Sequence, residues 1–253
     1  MLTNVSALRV LNSDIFFEIH RCISLKSKPY HMRTSENKYL RLRKSWAFCA
    51  VMIISSCAAK PPLETDAFSP SELVELQRLD PTIQLDIRYA TSKNFAGRPV
   101  YSEARAFLQR PAAEALVKVN KELAPLGYRL LVFDGYRPWS VTKLFWDITP
   151  KQKKDFVADP KKGSRHNRGC AVDLSLWSIA TGREVTMTGE YDEMSPRSYV
   201  AYAGGTPEQR ALRDLLRSKM EQHGFTVLPA EWWHFDYKDW KSYRIQNIPF
   251  NQL

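Results

Sequence analysis

Residues 128–146 read YRLLVFDGYRPWSVTKLFW, a run that passes from one type of secondary structure to another. The first six residues are mostly apolar, which predicts a short buried strand ending at Asp134-Gly135, a turn-forming pair. Residues 139–146 then have the pattern of a helix. The run therefore predicts a domain that combines strands with helices.

The same two patterns recur on both sides of this run. Apolar and polar residues alternate, as in strands with one face on a core, over residues 73–79, 83–89, 171–176 and 232–237. Helical spacing of apolar residues, with a glycine stop at Gly127 or Gly224, predicts helices over residues 111–124 and 206–223. Strands separated by helices in about 180 residues predict one α+β domain.

The composition excludes several classes of protein. The chain has 253 residues, of which 12% are aromatic, too large an apolar surface for a disordered chain. Four cysteines are too few for a disulfide-built scaffold. The net charge of +10 is uneven, because residues 1–56 carry +6 and the remaining 197 residues carry only +4. A body this weakly basic argues against nucleic acid as a partner.

The N-terminal part of the chain has the order of an export signal. Basic residues precede an apolar run from Trp46 to Ile54, which is far shorter than the roughly 20 residues of a membrane-spanning helix. Small residues then lead into Cys57, and Ile54-Ser55-Ser56-Cys57 resembles the lipobox of bacterial lipoproteins. In that family the cysteine is lipidated and becomes the new N-terminus. An uncleaved anchor and a simple buried helix are the alternatives.

This signal divides the chain into four parts. Because a signal peptide would begin at Met32, we expect residues 1–31 to be a spurious N-terminal extension. We expect a lipoprotein-type signal peptide over residues 32–56, a Pro-rich tether over residues 57–70 and the folded domain over residues 71–253. A lipoprotein of this kind is held to a membrane and faces the periplasm or the cell exterior, and a cytoplasmic location is the alternative.

Two histidines and two carboxylates have the chemistry of a catalytic metal site. His166 and Asp173 lie in the stretch GSRHNRGCAVD, and Glu231 and His234 lie in EWWH. Two imidazoles and one carboxylate suit a catalytic zinc, which keeps its fourth position open for water. Asp173 falls inside an apolar strand, where a carboxylate is costly unless it is paired or binds a metal. Glu231 can supply the second carboxylate, which takes the proton from that water.

Arg137 and His223 receive different interpretations. Arg137 follows a buried strand and precedes a helix, so a loop can deliver its permanent charge to the oxyanion of a tetrahedral intermediate. A turn with a surface arginine is the alternative. His223 precedes the glycine that ends a helix, where a histidine is favourable without any catalytic role.

Together these motifs resemble the zinc D-alanyl-D-alanine dipeptidases of the vancomycin-resistance type. The resemblance covers roughly residues 72–240 and is carried by the segments at residues 134–138, 164–173 and 231–234, with looser support from residues 88–97 and 191–194. It implies an α+β fold, a single compact domain with a central, mainly antiparallel sheet flanked by helices. The zinc site is expected in a cleft on that sheet.

The resemblance also implies roles for individual residues. It makes His166, Asp173 and His234 the ligands of one Zn²⁺ per chain. It makes Glu231 the general base and acid, and Arg137 the group that stabilises the substrate carbonyl and the intermediate. The positions that hold the dipeptide are matched by Ser164, Tyr89 and Asp192, with Asp192 meeting the free ammonium group. Cys170 departs from the small residue common in the family, such as Ala or Ile, and bears on packing beside the metal loop.

The implied activity is hydrolysis of D-Ala-D-Ala to D-alanine in the cell envelope by a metal-bound water. A close alternative is a D,D-carboxypeptidase or endopeptidase that acts on peptidoglycan stem peptides. A non-catalytic, zinc-stabilised binding module is a further alternative, although a structural zinc site uses four ligands and has no need of Glu231. The segments around Asp192 and Tyr89 favour a pocket of dipeptide size.

Overall fold

The computed structural model describes residues 59–253. The predicted N-terminal extension, the predicted signal peptide and the predicted lipidation site Cys57 lie outside these residues. Residues 59–72 contain no helix or strand. Among the helices of residues 59–253, none has the length and apolar character that crossing a membrane requires.

The described residues form strands and helices in mixed order. The strands are Leu73–Glu75 (β1), Gln84–Leu85 (β2), Phe107–Gln109 (β3), Tyr128–Asp134 (β4), Ala171–Ser178 (β5), Arg183–Glu184 (β6), Phe225–Leu228 (β7) and Glu231–Tyr237 (β8). The α-helices are Leu76–Leu79 (α1), Arg110–Leu123 (α2), Trp139–Ile148 (α3) and Pro207–Gln222 (α4). Short 3₁₀ turns connect them, among them Arg88–Ala90, Lys151–Phe156 and His166–Arg168.

A mainly antiparallel sheet forms the centre of the domain. Its strands lie in the order β2-β4-β5-β8-β7, and β6 pairs with β5. Only the β2–β4 pair is parallel among these ladders. Helices α2 and α4 pack against the sheet and against each other. The predicted α+β domain, with a mainly antiparallel sheet flanked by helices, is confirmed.

The two long helices begin and end where the sequence places them. Helix α2 has a proline in its first turn, and Gly127 beyond its end takes a left-handed conformation (φ 89°). Helix α4 begins at a capping box formed by Thr206 and Gln209, and Gly224 (φ 83°) follows its end. Leu116 of α2 and Leu216 of α4 are fully buried, so both helices turn their apolar stripe to the core.

Two of the predicted strands are much shorter in the structure. The strand predicted over residues 73–79 ends at Glu75 and continues as helix α1, which buries Leu76 and leaves Leu79 37% exposed. The strand predicted over residues 83–89 pairs with β4 only at Gln84–Leu85. Its alternation is real, since Ile83 and Ile87 are buried, but the backbone then turns into a 3₁₀ helix.

Strand β5 confirms the strand predicted over residues 171–176 but is more deeply buried than its sequence pattern predicts. The alternation over residues 171–176 predicts one covered face, yet all six of these residues are buried. Leu174 and Leu176 lie in the hydrophobic core, while Asp173 and Ser175 are on the other side of the strand. The second face is therefore buried too, and it holds a carboxylate.

Candidate active site

Three neighbouring strands bring acidic and imidazole groups side by side. Asp173 on β5 lies opposite His234 on β8 in the ladder. On its other side Asp173 pairs with Asp134, the last residue of β4, after an irregularity in the register. All three residues are at least 92% buried. The sheet thus gathers groups that are 100 residues apart in sequence.

The three predicted metal ligands meet at one point. His166 Nε2 lies 3.1 Å from His234 Nδ1 and 3.3 Å from Asp173 Oδ1. His234 Nδ1 lies 3.0 Å from Asp173 Oδ1. Zinc–ligand bonds of about 2.0–2.2 Å in a tetrahedron give edges of about 3.3–3.6 Å, only slightly longer than the sides of this triangle. These residues form the one group of three or more potential ligands found within residues 59–253.

Each imidazole has an inner nitrogen that faces the ligand cluster and an outer nitrogen that contacts an acceptor elsewhere. The contacts of the outer nitrogens explain why the inner ones suit a metal. His166 Nδ1 lies 2.7 Å from the carbonyl oxygen of Gly135, which can only accept, so this nitrogen carries the proton. His234 Nε2 lies 3.0 Å from a carboxylate oxygen of Asp236. A neutral imidazole then has its lone pair on the inner nitrogen. Two lone pairs and a carboxylate converging in a buried site fit a bound cation.

The electrostatics of the cluster favour positive charge. Burial would raise the pKa of Asp173, but the charge of His166 and hydrogen bonds with both imidazoles hold the pKa of this carboxyl well below its usual range. Burial alone would lower the pKa of His234. Its hydrogen bonds to Asp173 and Asp236 outweigh this effect and raise the pKa to about 10. A site that holds a proton this strongly is also suited to a metal cation.

A tight turn delivers His166 to the two strands. His166 begins a 3₁₀ turn that ends at Gly169, whose backbone is left-handed (φ 69°). A side chain at this position would also place its Cβ 2.4 Å from Leu73 Cδ2. Only glycine fits both the backbone angle and the space, so this residue sets the path from His166 to Asp173.

Glu231 lies beside the ligand cluster. It is the first residue of β8, and the pairing of β8 with β7 shifts register between Val227 and Leu228. Residues three apart on a regular strand point to opposite faces, and the irregularity lets Glu231 Oε2 lie 3.8 Å from His234 Nδ1. Burial raises the pKa of Glu231 to about 7, opposed by the charge of His234. A carboxyl with this pKa can accept and return a proton near neutral pH.

Arg137 reaches the same site from the loop after β4. Its Nη2 and Nε lie 2.7 and 2.9 Å from Asp134 Oδ2, and Nη2 is 3.6 Å from Asp173 Oδ2. The guanidinium group also lies 5.0 Å from the centre of the Phe145 ring. Burial opposes its charge, but Asp134 and its other neighbours raise the pKa of Arg137 well above the usual value. The N–H donors that have no acceptor among residues 59–253 can serve a ligand in the cavity that Arg137 lines.

The three residues matched to substrate binding line the same cavity of about 190 Å³ as the metal ligands, Glu231 and Arg137. The Tyr89 hydroxyl donates to Asp192 Oδ2 at 2.8 Å. Burial and the charge of Asp173 raise the pKa of Asp192 to about 8. The Ser164 hydroxyl accepts a 3.2 Å hydrogen bond from the backbone of His166. All eight predicted residues of the domain therefore meet in one place.

Comparison with known proteins agrees with this geometry. The sequence profile of the family described as "D-ala-D-ala dipeptidase" matches residues 69–251. The chain belongs to this family. It is a metallopeptidase, and the predicted resemblance is confirmed.

Similar proteins include two that are named D-alanyl-D-alanine dipeptidase. The one from Escherichia coli (strain K12) is 33% identical over 175 residues, which cover 69% of this chain and 89% of that protein. The one from Enterococcus faecium is 35% identical over 178 residues, covering 62% and 87%. A solved structure of the vancomycin resistance D,D-dipeptidase VanXYg is 16% identical, covers 67% of each chain and has a TM-score of 0.36, too low to bear on function.

Three residues of this dipeptidase-family site went unassigned in the sequence. Asp134 anchors Arg137, Asp236 accepts from His234, and the Tyr191 hydroxyl donates to Asp173 Oδ2 at 3.2 Å. Asp236 could have been found, because a residue two positions after His234 on a strand shares its face. Asp134 stands three residues before Arg137 in the same motif, so this pairing is local. Tyr191 lies inside a looser motif, but its partner Asp173 lies on β5 and no local pattern points to it.

Cys170 and His223 lie apart from the chemistry. Cys170 is fully buried and forms no disulfide within residues 59–253, and burial raises the pKa of its thiol to about 12, so it packs as a small apolar group. His223 caps the end of α4 and its Nε2 lies 2.8 Å from Glu122. The non-catalytic interpretation of His223 agrees with this placement.

Proposed function

We propose that this chain is a zinc-dependent dipeptidase that hydrolyses D-Ala-D-Ala to D-alanine. One observation carries the proposal. His166 Nε2, Asp173 Oδ1 and His234 Nδ1 converge within 3.3 Å of one another, and a carboxylate of raised pKa, Glu231, stands beside them without joining the triangle. Three ligands with a separate base are the groups that metal-assisted hydrolysis of a peptide needs.

The chain's own residues divide the work of this reaction. His166, Asp173 and His234 would hold the zinc ion. When bound, zinc lowers the pKa of a water molecule and polarises a carbonyl group. Glu231 takes the proton from the attacking water and passes it to the amine that leaves when the C–N bond breaks. Each product then carries one part of the water, a hydroxyl group on the new carboxyl and a proton on the amine.

Arg137 is placed to stabilise the charge that develops on the substrate carbonyl oxygen. Its guanidinium is permanently charged and is held by Asp134 with little freedom to move. A donor fixed before the reaction costs no reorganisation when the charge appears. The buried carboxylate of Asp134 does not line the active-site cavity, and its bonds to Arg137 suit the role of an anchor for the guanidinium group.

The size and charge of the cavity favour a free dipeptide over a longer peptide. A volume of about 190 Å³ is below the roughly 300–1,000 Å³ of pockets that bind drug-sized ligands. Asp192, bonded to Tyr89, offers a carboxylate for the ammonium group, and Ser164 offers a hydroxyl near the metal ligands. The alternative D,D-carboxypeptidase or endopeptidase would need this amine end to be open.

The test of the chemistry is a pair of variants. Glu231→Gln is expected to keep zinc and lose at least about a hundredfold in kcat, because an amide cannot accept the proton. His166→Ala is expected to lose zinc and activity together. Zinc content and turnover are measured on the same samples. A Glu231→Gln protein with a tenth of normal turnover would contradict the role of Glu231, and normal zinc content in His166→Ala would contradict the metal assignment.

The test of the substrate compares three compounds at equal concentration. Free D-Ala-D-Ala is expected to be cleaved far faster than its N-acetylated form, since the acetyl group removes the ammonium partner of a half-buried Asp192. A pentapeptide stem ending in D-Ala-D-Ala is expected to be cleaved slowly for the same reason. Equal rates on all three would favour the carboxypeptidase, and no cleavage of any would favour a non-catalytic binding module.

We also propose that the protein is lipidated at Cys57 and works in the cell envelope. Support comes from the order of basic, apolar and small residues before Cys57. Several acyl chains on one cysteine anchor a protein firmly, whereas one chain holds it only marginally. A Cys57→Ser variant should leave the membrane fraction or keep an unprocessed signal. Intact mass of the native protein with residues 1–56 attached and Cys57 unmodified would return the cytoplasmic alternative.

A further inference from the structure

The positive charge of the described domain is concentrated in one stretch of sequence. Residues 139–165 carry seven basic and three acidic side chains, a net charge of +4. Residues 59–253 as a whole also carry +4, so the rest of the domain is neutral. The basic residues of the stretch are Lys143, Lys151, Lys153, Lys154, Lys161, Lys162 and Arg165. This asymmetry lies on helix α3 and the loop that follows it.

Part of this stretch forms a groove of about 380 Å³, here called the basic groove. It is lined by Lys60, Pro62, Trp139, Lys143, Trp146, Asp147, Pro160 and Lys161. The Lys154 ammonium group lies 4.5 Å from the centre of the Trp146 ring at its side. Four lysines therefore surround one half-buried tryptophan. Lysine and tryptophan, each apolar along its body with a polar end, are the residues that populate the membrane–water interface.

Most of these charges have no acidic partner. Lys143 is paired with Asp147 at 2.5 Å, but within residues 59–253 no ion pair involves Lys60, Lys153 or Lys161. All three are exposed. Ile148, at the end of α3, is 42% exposed and lines a neighbouring cavity together with Lys153. Unpaired lysines beside exposed apolar surface suit an anionic partner that also has an apolar layer.

The chain enters the described domain at this groove. Lys60 and Pro62 line it, and Lys60 is three residues after the proposed lipidation site Cys57. Three residues span at most about 11 Å. Acyl chains on Cys57 would therefore hold Lys60, at one side of the groove, within about 11 Å of the acylated residue and so near the headgroups.

We propose that the basic groove is a docking surface for the anionic phospholipid headgroups of the membrane that anchors the protein. This docking rests on the proposed lipid anchor at Cys57 and is independent of the proposed hydrolysis. Each lysine near an anionic surface strengthens binding by about fivefold. The loop that follows α3 also lines the active-site cavity through Asp155–Ala158, so docking places this wall of the cavity beside the membrane.

The experiment uses the full chain attached to vesicles through its own N-terminal part. Vesicles of phosphatidylcholine alone are compared with vesicles containing about 30% phosphatidylglycerol. An amine-reactive reagent labels the lysines, and mass spectrometry measures labelling at each site. Lys60, Lys153 and Lys161 are expected to be labelled at least about threefold more slowly on the anionic vesicles, and about 0.5 M NaCl should remove this protection. Lys118 and Lys121, exposed on α2, report any general effect.

Paired variants make the result specific. Lys60→Glu/Lys161→Glu is expected to abolish the protection of Lys153, while Lys118→Glu/Lys121→Glu, with the same change of charge, should leave it intact. Turnover of soluble D-Ala-D-Ala should be the same in all of these proteins, so a failure of the proposed hydrolysis would be seen separately. Equal labelling on the two kinds of vesicle would overturn the proposal. Equal protection by soluble polyphosphate on neutral vesicles would also overturn it, in favour of an anionic polymer.

Discussion

A buried ion pair ties the segment before the domain to the metal loop. Arg168, two residues after His166, contacts Glu64 with Nη2 2.6 Å from Oε1. The other carboxylate oxygen of Glu64 accepts a 2.7 Å hydrogen bond from the backbone of Ile245. Arg168 also donates to the carbonyl of Tyr243. Removing the carboxylate by Glu64→Ala should therefore release the segment from the metal loop and from the C-terminal part, which stay joined to each other through Arg168 and Tyr243.

The expected cost follows from how little water reaches the pair. The side chains of Arg168 and Glu64 are only 11% and 14% exposed. Breaking a fully buried pair costs about 3–5 kcal/mol, and an exposed pair is worth about 0–1 kcal/mol. A pair close to the buried limit, together with the lost acceptor for Ile245, should cost about 2–3 kcal/mol. For a domain of this size that is a decrease in Tm of about 5–10 °C.

Thermal unfolding of the zinc-saturated protein, followed by circular dichroism, measures this effect. The matched control is Glu114→Ala, whose carboxylate is 56% exposed and 3.7 Å from Arg110, and which should change stability by less than about 0.5 kcal/mol. A double-mutant cycle with Arg168→Met isolates the pair. A decrease in Tm of less than about 2 °C for Glu64→Ala, or a coupling energy near zero, would show that this ion pair does not stabilise the domain.

Two further predictions concern the site. Asp236→Ala should weaken zinc binding by about 10–100-fold, because His234 loses the acceptor that fixes its tautomer. Competition with a chelator measures the affinity for zinc, and Asp239→Ala, at an exposed position, is the control. Equal zinc affinities of the two variants would contradict the prediction. Asp192→Asn should stabilise the protein by up to about 5 kcal/mol at pH 8 and by almost nothing near pH 4. A carboxyl whose folded pKa is raised from 3.8 to about 8 costs the folded state about 1.4 kcal/mol for each pH unit between these values. Asparagine tolerates the left-handed backbone of residue 192 (φ 61°). Denaturant unfolding at both pH values measures the free energy of unfolding, and a gain in this free energy that does not grow with pH would contradict the prediction.

Local patterns predict the elements whose formation depends on near neighbours. Helix α4 has its capping residue, its apolar stripe and its terminal glycine within 20 residues, and its bounds agree with the prediction. Strand β4 is similarly marked by its apolar run and the turn that follows. The alternation at residues 83–89 correctly places Ile83 and Ile87 in the core. It does not predict how far the strand extends, because pairing with β4 depends on the path of another strand.

The ligand types, the base and the arginine could be named from the sequence because each stands in a short motif of unusual composition. The neighbours that fix them could not. Gly135 offers its carbonyl to His166 from 31 positions away, and Tyr191 reaches Asp173 across 18. Such contacts depend on strand order and on register irregularities, which no periodicity encodes. The docking of Glu64 on Arg168, 104 positions apart, is of the same kind.

Residue type and short spacing reveal which chemical groups this protein has and which local elements carry them, since both act over a few positions. Tertiary packing places Asp134, Asp173 and His234 in one row, turns Glu231 toward His234, and puts the basic groove where the chain enters the domain. The row follows from pairing β4, β5 and β8, the position of Glu231 from the irregular pairing of β7 with β8, and the groove from residues 60–62 lying against α3 and its following loop. Pairing β4, β5 and β8 brings together residues far apart in the chain, at a cost in loop entropy that burial of the whole core offsets.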